Sequence, residues 1–465
     1  MNSIKNKFLS TEIAFVICSI FFGVLLLILT PPMQSADEQY HFTRAYSIAN
    51  GHIKALKSGN TMGNFLPEGF QEFANSYSEL YTNKNAHTSF EEIRKTENIK
   101  TTSENKFFCH QSYMALYSPA AYLPQAAGIA LAQLFTGSIL WLLVSAKVSL
   151  LIFYTLAGYF SIKALPFLKN AAFLILLMPM SLSMGASVSA DGVLIAISVL
   201  YFAKILQYSY SDERLSKKQF FFLMFLAIML ALIKQSFLVT LFALFIPPEK
   251  FSALFKTQKL NPYPVKIILL LLPAFLASLL WSQLILGIYV PIHGANPGLQ
   301  IEFILHHPAE YLKSLALTLN MYFKLILFST IGILGWLDII FRPYVYWSYI
   351  SVLFLNIIFT PGALEKISSG IFQKLLLIGL FALNIFVIST IIYVTWVPPY
   401  YTGIWGGLQG RYFIPVLLPF LAFLFLLYNR YFKPQKAQWI NLINGLLLLI
   451  TYFNAALALF LRYFY

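Results

Sequence analysis

Long apolar stretches alternate with short polar breaks along almost the whole chain. The first stretch runs from Ala14 to Leu29, and comparable stretches recur as far as the C-terminal residues. A helix of about 20 apolar residues is long enough to cross the roughly 30 Å of hydrocarbon in a bilayer. The pattern therefore predicts an all-α polytopic membrane protein, a bundle of about 11–13 transmembrane helices.

Most of these stretches fit a regular alternation between the two sides of a membrane. They cover residues 12–30, 139–160, 171–184, 190–208, 219–233, 236–247, 267–289, 344–360, 375–396, 412–428 and 439–461. Two further apolar segments, residues 119–136 and 316–335, would turn basic loops outward if both crossed the membrane completely. We interpret these two as re-entrant or interface-lying helices packed against protein.

The distribution of charge orients the predicted helices. Only 11% of the 465 residues are charged, against roughly a quarter in a soluble domain, yet the net charge is +14. The Lys and Arg residues fall mainly in short loops, which is the positive-inside pattern and not a nucleic-acid-binding face. We therefore expect no nucleic-acid partner. The basic set that we place in the cytoplasm with the N-terminus comprises Lys5, Lys7, Lys163, Lys169, Arg214, Lys217, Lys218, Lys250, Lys256, Lys259, Lys266, Lys366, Lys374, Arg430, Lys433 and Lys436.

The remaining polar segments are placed outside the cytoplasm. Three that are nearly free of Lys and Arg cover residues 185–190, 291–307 and 397–410. The largest, residues 31–118, holds nine of the 18 acidic residues and predicts a partly helical loop that caps the bundle. Residues 291–343 form a second large outer segment of the same single domain, residues 1–465. Cys18 lies in an apolar stretch and Cys109 in the polar loop, so we expect neither a disulfide nor a cysteine zinc site.

The first polar segment opens with the acidic run PPMQSADEQYHFTRAY, which contains Asp37, Glu38, His41 and Arg44. A carboxylate held at the membrane surface is able to act as a general base or to hold a metal ion. The alternative is structural, because Ser35 or Asp37 would cap a helix that starts near Glu38. Both interpretations stay open on these residues alone.

A second acid, Asp191, lies in the outward turn SMGASVSADG, on the same side as Asp37. A lone Asp at such a turn is more often a helix N-cap than a catalytic group. Lys234 interrupts an almost uncharged run from Gln219 to Ile246, which predicts two half-length helices turning at Lys234. An ionisable residue in an apolar run is a functional candidate, and snorkelling to the interface is the alternative.

The segment YYTGIWGGLQGRYFIPVLLP places Arg411, between Gly410 and Tyr412, at the outer start of a membrane helix. Gln409 precedes it, and the loop otherwise lacks positive charge. A guanidinium beside backbone amides is well suited to bind phosphate, whereas snorkelling by a single interfacial Arg is the alternative. In LGWLDIIFRP we expect Asp338 to form an interfacial ion pair with Arg342.

Several of these motifs resemble those of the bacterial membrane family DUF2142. The run PPMQSADEQYHFTRAY is similar to its PPxQxPDExxHFxRAY signature, with Ala36 where proline is usual. YSPAAYLPQAAGI, MPMSLSMGASVSADG, LGWLD and LQGRYFIP resemble its later motifs in the same order. That family in turn resembles the GT-C glycosyltransferases, which carry an acidic motif in the first outer loop and a further acid in the second. Asp37 and Asp191 match these two positions.

The resemblance implies an inverting glycosyltransferase in the bacterial cytoplasmic membrane with its active site on the outer face. It would move a sugar from a polyprenyl phosphate donor to an envelope glycan such as a teichoic acid, a capsule or another surface polysaccharide. Asp37 would be the catalytic base, with Glu38 supporting or replacing it. No cofactor is expected and a divalent metal is not favoured. The substrate-binding set comprises His41, Arg44, Asp191, Lys234, Gln409, Arg411 and Tyr412, of which Lys234 and Arg411 would bind the lipid phosphate.

Two other functions fit the same membrane plan. A transporter or flippase of lipid-linked sugars usually shows paired repeats and charges near the bilayer midplane, whereas here no repeat is visible and the acids cluster at one surface. A polymerase or ligase of envelope glycans would share the lipid-linked donor and much of the site.

Overall fold

Nineteen α-helices and seven short strands make up the described part of the chain. The computed structural model describes residues 10–102, 104–234, 237–252, 262–291, 294–360, 367, 369–432 and 435–465. The helices are α1 (Thr11–Leu29), α2 (Glu38–Ala49), α3 (Gly69–Asn75), α4 (Ser78–Thr82), α5 (Phe90–Lys95), α6 (Leu123–Gln133), α7 (Ile139–Ala164), α8 (Lys169–Leu176), α9 (Pro179–Gly185), α10 (Ala190–Tyr210), α11 (Lys217–Leu232), α12 (Phe237–Thr240), α13 (Pro262–Ile285), α14 (Pro297–His306), α15 (Pro308–Gly332), α16 (Pro343–Ile358), α17 (Ile371–Trp396), α18 (Leu417–Tyr431) and α19 (Trp439–Tyr463). The strands are β1 (Leu56–Ser58), β2 (Thr61–Pro67), β3 (Lys106–His110), β4 (Ile333–Leu334), β5 (Ile339–Ile340), β6 (Phe359–Thr360) and β7 (Gln435–Lys436).

Eight helical segments of the described chain are long and apolar enough to cross a membrane. They are Thr11–Leu29, Ile139–Ala164, Ala190–Tyr210, Tyr263–Ile288, Pro308–Gly332, Ile371–Trp396, Gly410–Tyr431 and Trp439–Tyr463. Seven of them coincide, within a few residues, with a crossing that the sequence predicts. The predicted class, an all-α polytopic membrane protein, is confirmed.

The other predicted crossings are shorter or broken. Residues 171–184 fall on α8 and α9, which are separated before Pro179 because proline lacks the N–H of a continuing helix. The run around Lys234 is split as predicted, since α11 ends at Leu232 and α12 begins at Phe237. Lys234 itself has a positive φ of 49°, which a regular helix does not accommodate.

Hydrogen bonds between first helical turns define one end of the bundle. The side chains of Thr11, Asn170 and Asn441, in α1, α8 and α19, are joined at 3.4 and 2.9 Å. We call this the basic end, because the described members of the basic set flank the helix termini found here. Lys5, Lys7, Lys256, Lys259, Lys366 and Lys433 lie outside the described residues.

The opposite end is covered by the long loop between α1 and α7. Ser118 of that loop donates a hydrogen bond to the carbonyl of Leu232 at the end of α11. Trp281, near the end of α13, donates one to the carbonyl of Leu116. We call this the loop end. Successive helices run between the two ends in the alternation that the charge pattern predicts.

The 119–136 segment is too short to cross a bilayer. Its helix, α6, has 11 residues, about half the length that a crossing requires. It packs against α7, where Ser149 donates a hydrogen bond to the carbonyl of Pro124. A Cβ atom at Gly128 would lie 2.5 Å from the carbonyl oxygen of Ser145, so the two backbones approach closely only because this residue is glycine. This packing agrees with the re-entrant interpretation.

The 316–335 segment belongs to α15, a helix of 25 residues that begins at Pro308. Although it is long enough to cross, both of its ends contact the loop end of the bundle. Tyr311 forms a 2.6 Å hydrogen bond with Thr390 in the last two turns of α17. The carbonyl of Gly332 accepts one of 2.9 Å from Tyr346 in the first turn of α16. Because α17 ends and α16 begins at the loop end, α15 lies across that end, which supports the interface-lying interpretation.

The long loop contains a small sheet as well as the predicted helices. Its three strands are antiparallel in the order β1-β2-β3, with Gly63 opposite His110. A side chain at Gly63 would collide with the backbone of Cys109, whose oxygen lies 1.8 Å from the position of a Cβ. Both Cys18 and Cys109 are free thiols, as expected.

The hairpin β4–β5 connects the C-terminal helix to the loop. The expected ion pair between Asp338 and Arg342 is wrong, because Asp338 binds the Nε of Arg462 in the last turn of α19 at 2.8 Å. Arg462 also donates to the carbonyls of Leu80 and Ala86. Sequence proximity favoured Arg342, whereas the hairpin turns the carboxylate towards α19.

Candidate functional site

Two carboxylates and two cations from four separate elements meet at the loop end. The Asp37 Oδ2 atom lies 3.0 Å from Nη2 of Arg411, and Nε of Arg411 lies 3.5 Å from Oδ2 of Asp191. The other oxygen of Asp191 lies 2.5 Å from Nζ of Lys234. The four residues form an alternating series, Asp37, Arg411, Asp191 and Lys234, which we call the ion chain. All four were candidates from the sequence, and the structure brings them together.

The middle of the ion chain is buried, and its Asp37 end is the most exposed. The side chains of Arg411 and Asp191 are each 3% exposed and that of Lys234 is 16% exposed, whereas Asp37 is 32% exposed. Two negative and two positive charges cancel, which lowers the free-energy cost of burying them. Asp37 is therefore the member that a molecule from outside meets first.

The N-cap interpretation of Asp37 is wrong for its side chain. Helix α2 does begin at Glu38 and Asp37 occupies the N-cap position, but its side chain accepts no capping hydrogen bond. Its backbone has a left-handed φ of 61°. This unfavourable conformation of a non-glycine residue is maintained by its surroundings, and the carboxylate is directed to Arg411 instead.

The N-cap interpretation of Asp191 is wrong as well. Ser189 is the N-cap residue of α10, and its hydroxyl accepts a hydrogen bond of 3.1 Å from the backbone N–H of Asp191. The Asp191 carboxylate is consequently left to bind Lys234 and Arg411. Because Lys234 lies in the break between α11 and α12, its ammonium group is held beside α10 and does not snorkel away.

Aromatic rings surround the cations. Nζ of Lys234 lies 5.4 Å from the centre of the Tyr117 ring and 5.6 Å from that of Tyr412. The guanidinium of Arg411 lies 5.5 Å from the same Tyr412 ring. These distances allow cation–π attraction. Burial by itself would lower the pKa of Lys234, but Asp191 outweighs it and the pKa is raised, so the ammonium group stays charged.

Glu38 does not join the ion chain. Its Oε2 atom accepts hydrogen bonds of 3.0 Å from the backbone N–H of Met33 and from Nζ of Lys147. The side chains of Glu38 and Lys147 are 0% and 4% exposed. Of the two roles implied for Glu38, this geometry supports the one in which it holds the turn that carries Asp37. Sequence reasoning missed Lys147, although a charge within an apolar stretch is the signal that identified Lys234.

His41 and Arg44 lie behind the ion chain. Nδ1 of His41 is 2.7 Å from the hydroxyl of Tyr122. Burial and the nearby Lys234 lower the pKa of His41 to about 3, so its ring is neutral. Arg44 donates hydrogen bonds to the carbonyls of His52, Ile53 and Tyr117. These contacts give His41 and Arg44 a structural role, and their predicted contact with substrate stays a prediction.

Gln409 and the space beside Arg411 complete the site. Oε1 of Gln409 is buried and has no hydrogen-bond partner within the described residues, which leaves it free to bind a ligand. A cavity of about 10 Å³, room for about one water molecule, lies between Arg411, Ala36 and Gly335 of the β4–β5 hairpin.

Within the described ranges, no three His, Cys, Asp or Glu side chains form a group able to hold a metal ion. The expectation that no cofactor takes part stays a prediction.

The helical bundle and its polar site define a polytopic membrane protein with an ion chain at one end. A family model described as a predicted membrane protein, DUF2142, matches residues 20–420. The chain therefore belongs to the DUF2142 family, and the whole ion chain lies within the matched region. No curated protein and no solved structure matches it.

The neutral state of His41 predicts a loss of stability in acid. The unfolded chain protonates this residue below about pH 6.5, while the folded protein keeps it neutral down to a pKa of about 3. The stability that the neutral ring contributes is therefore fully present above about pH 6.5. As the pH falls from there towards the folded pKa of about 3, it is lost by up to about 1.4 kcal/mol per pH unit. We expect the drop in unfolding temperature between pH 7 and pH 4.5 to be smaller in His41→Gln than in the wild type. The exposed His52→Gln should behave as the wild type, and an equal drop in all three proteins would contradict the prediction.

Proposed function

We propose that this protein is an extracytoplasmic glycosyltransferase that moves a sugar from a polyprenyl phosphate to a cell-envelope glycan. The observation that carries the proposal is the contact between Asp37 and Arg411. A partly exposed carboxylate lies 3.0 Å from a buried guanidinium, and a second cation lies one carboxylate further along the ion chain. The proposed base, Asp37, therefore lies beside the cations that would bind an anion.

Arg411 and Lys234 are the groups that would hold the phosphate of the donor. A guanidinium binds two phosphate oxygens at once, and the nearby ammonium adds charge. Tyr412 contacts both cations, and Gln409 offers a further polar atom. Asp191 lies between the two cations, because one of its oxygens binds Lys234 and the other lies 3.5 Å from Nε of Arg411.

The transfer is a single displacement with inversion at the anomeric carbon. The acceptor hydroxyl gives its proton to Asp37, and its oxygen forms the new bond to the anomeric carbon. The bond between that carbon and the phosphate oxygen breaks on the opposite face. Its electron pair leaves with the polyprenyl phosphate, whose added negative charge Arg411 and Lys234 stabilise. The proton and the leaving group are both accounted for without a metal ion.

The architecture supports a reaction at the membrane surface. The ion chain lies at the loop end, away from the basic end that the positive-inside rule assigns to the cytoplasm. The donor lipid would remain in the bilayer while its phosphate reaches the site. The loop of residues 31–118 covers the site from the side on which an envelope glycan would approach. The bacterial cytoplasmic membrane is the location that we propose.

Deletion of the protein tests the proposal. We expect the deleted strain to lose one sugar from an envelope polymer and to accumulate that sugar on polyprenyl phosphate at the outer face. The accumulated donor should then be destroyed by a membrane-impermeant sugar oxidant added to intact spheroplasts.

Other outcomes of the same test contradict the proposal. An accumulated donor that is protected from the oxidant would favour the transporter or flippase. A shortened polymer with unchanged sugar composition would favour the polymerase or ligase.

A further inference from the structure

The guanidinium of Arg411 has two carboxylate partners, which differ in burial and in the number of cations that each one contacts. Asp191 is 3% exposed and is also bound to Lys234 at 2.5 Å. Asp37 is 32% exposed and contacts Arg411 through one oxygen. A buried carboxylate between two cations is costly to remove, whereas a partly exposed ion pair contributes little stability.

The backbone conformation of Asp37 also favours its release from Arg411. Its φ of 61° is unfavourable for a residue with a side chain, and the carboxylate has given up the capping bond that its position offers. The backbone N–H groups of Glu38 and Tyr40 already donate to the carbonyls of Ser35 and Asp37. If Asp37 left Arg411, the N–H of Gln39 would be the one available to the carboxylate. Release of Asp37 therefore has a local compensation, which Asp191 lacks because Ser189 already caps α10.

We propose that the Asp37 carboxylate occupies the phosphate subsite of the ligand-free protein, and that the phosphate of the donor displaces it from Arg411. The inference rests on the proposed function. In the ligand-free protein both cations are already neutralised by carboxylates. A phosphate added beside an unchanged ion chain would bring uncompensated negative charge into a buried site. If the phosphate replaces Asp37, one negative charge leaves Arg411 as the charge of the phosphate arrives.

The exchange also couples donor binding to catalysis. A carboxylate that has left its guanidinium partner is free to accept a hydrogen bond from the acceptor hydroxyl. Asp37 is thus available as the base only when the phosphate is in place, and it remains next to the anomeric carbon of the bound donor. Before the donor binds, the contact with Arg411 keeps the base occupied.

Binding of geranylgeranyl phosphate to the purified full-length protein in nanodiscs tests this exchange. Removal of the competing charge in Asp37→Asn should tighten binding by about 2- to 5-fold, the range expected for loss of a partly exposed ion pair. The gain should vanish in an Arg411→Gln background. Glu91→Gln, which breaks an exposed ion pair with Lys95 in the loop of residues 31–118, should leave the affinity unchanged, and geranylgeraniol should show no difference among the variants.

A second measurement uses the wild-type chain alone. The reactivity of Asp37 towards a water-soluble carbodiimide and an amine, read by mass spectrometry, should rise when geranylgeranyl phosphate is added. Affinity that is unchanged or weaker in Asp37→Asn, or a ligand that leaves or lowers the labelling of Asp37, overturns the exchange while the proposed function stands. Failure of every variant and of the wild type to bind geranylgeranyl phosphate overturns both.

Discussion

Asp37→Asn should reduce sugar transfer by about 10²- to 10⁴-fold, the usual contribution of a positioned general base. Asparagine retains the size of the side chain but accepts no proton. Since the Asp37 side chain is 32% exposed, the variant should still fold and reach the membrane in normal amounts. The measurement is the composition of the envelope glycan in cells that carry either protein at equal membrane levels.

The matched control for this substitution is Asp212→Asn, an exposed acid near the basic end, which should leave the glycan unchanged. Asp37→Asn is expected to bind the lipid phosphate more tightly and yet to transfer less, and this combination separates a lost base from a lost binding site. A normal glycan in Asp37→Asn cells, where deletion of the protein alters it, would exclude Asp37 as the base and favour the transporter.

Glu38→Gln should destabilise the protein by about 3–5 kcal/mol, because it leaves the buried Lys147 ammonium without a counter-charge. The effect is large because both side chains are almost completely buried. Replacing both residues, as Glu38→Leu with Lys147→Met, removes the two charges together. Such a replacement is often neutral or stabilising, so the double variant should recover most of the stability, less the hydrogen bond from Met33.

This double variant also decides the role of Glu38. Unfolding in detergent reports stability, and glycan composition reports activity in the same strains. A folded and active double variant makes Glu38 a positioning residue of the Asp37 turn. A folded variant without activity would instead support the alternative in which Glu38 takes part in the reaction. Glu91→Gln, which breaks an exposed pair with Lys95, is the control and should cost less than about 1 kcal/mol.

The predictions for Asp37 and for Glu38 both follow from which of the two residues belongs to the ion chain. Asp37 is assigned to chemistry because it is the open member, and Asp191 to holding the cations because it is enclosed. Glu38, adjacent to Asp37 in the sequence, faces away from the chain towards α7. The same acidic motif therefore places one carboxylate in the ion chain and one in a buried ion pair with Lys147.

The helices and their order were predictable from the sequence, because apolar length and loop charge are local properties. The break at Lys234 was equally readable, since a charge in an apolar run is costly to bury in a continuous helix. The four members of the ion chain were also named in advance, because each is a charged residue at the outer end of an apolar segment.

Pairing was decided only by the tertiary structure. Asp338 binds Arg462 and not Arg342, and Glu38 binds Lys147. Of the two interpretations left open for Asp37, capping is replaced by a contact with Arg411, 374 residues away along the chain. Such outcomes depend on which helices pack together, and a charge selects its partner from whatever the packing places within a few ångströms, so spacing along the sequence does not contain them.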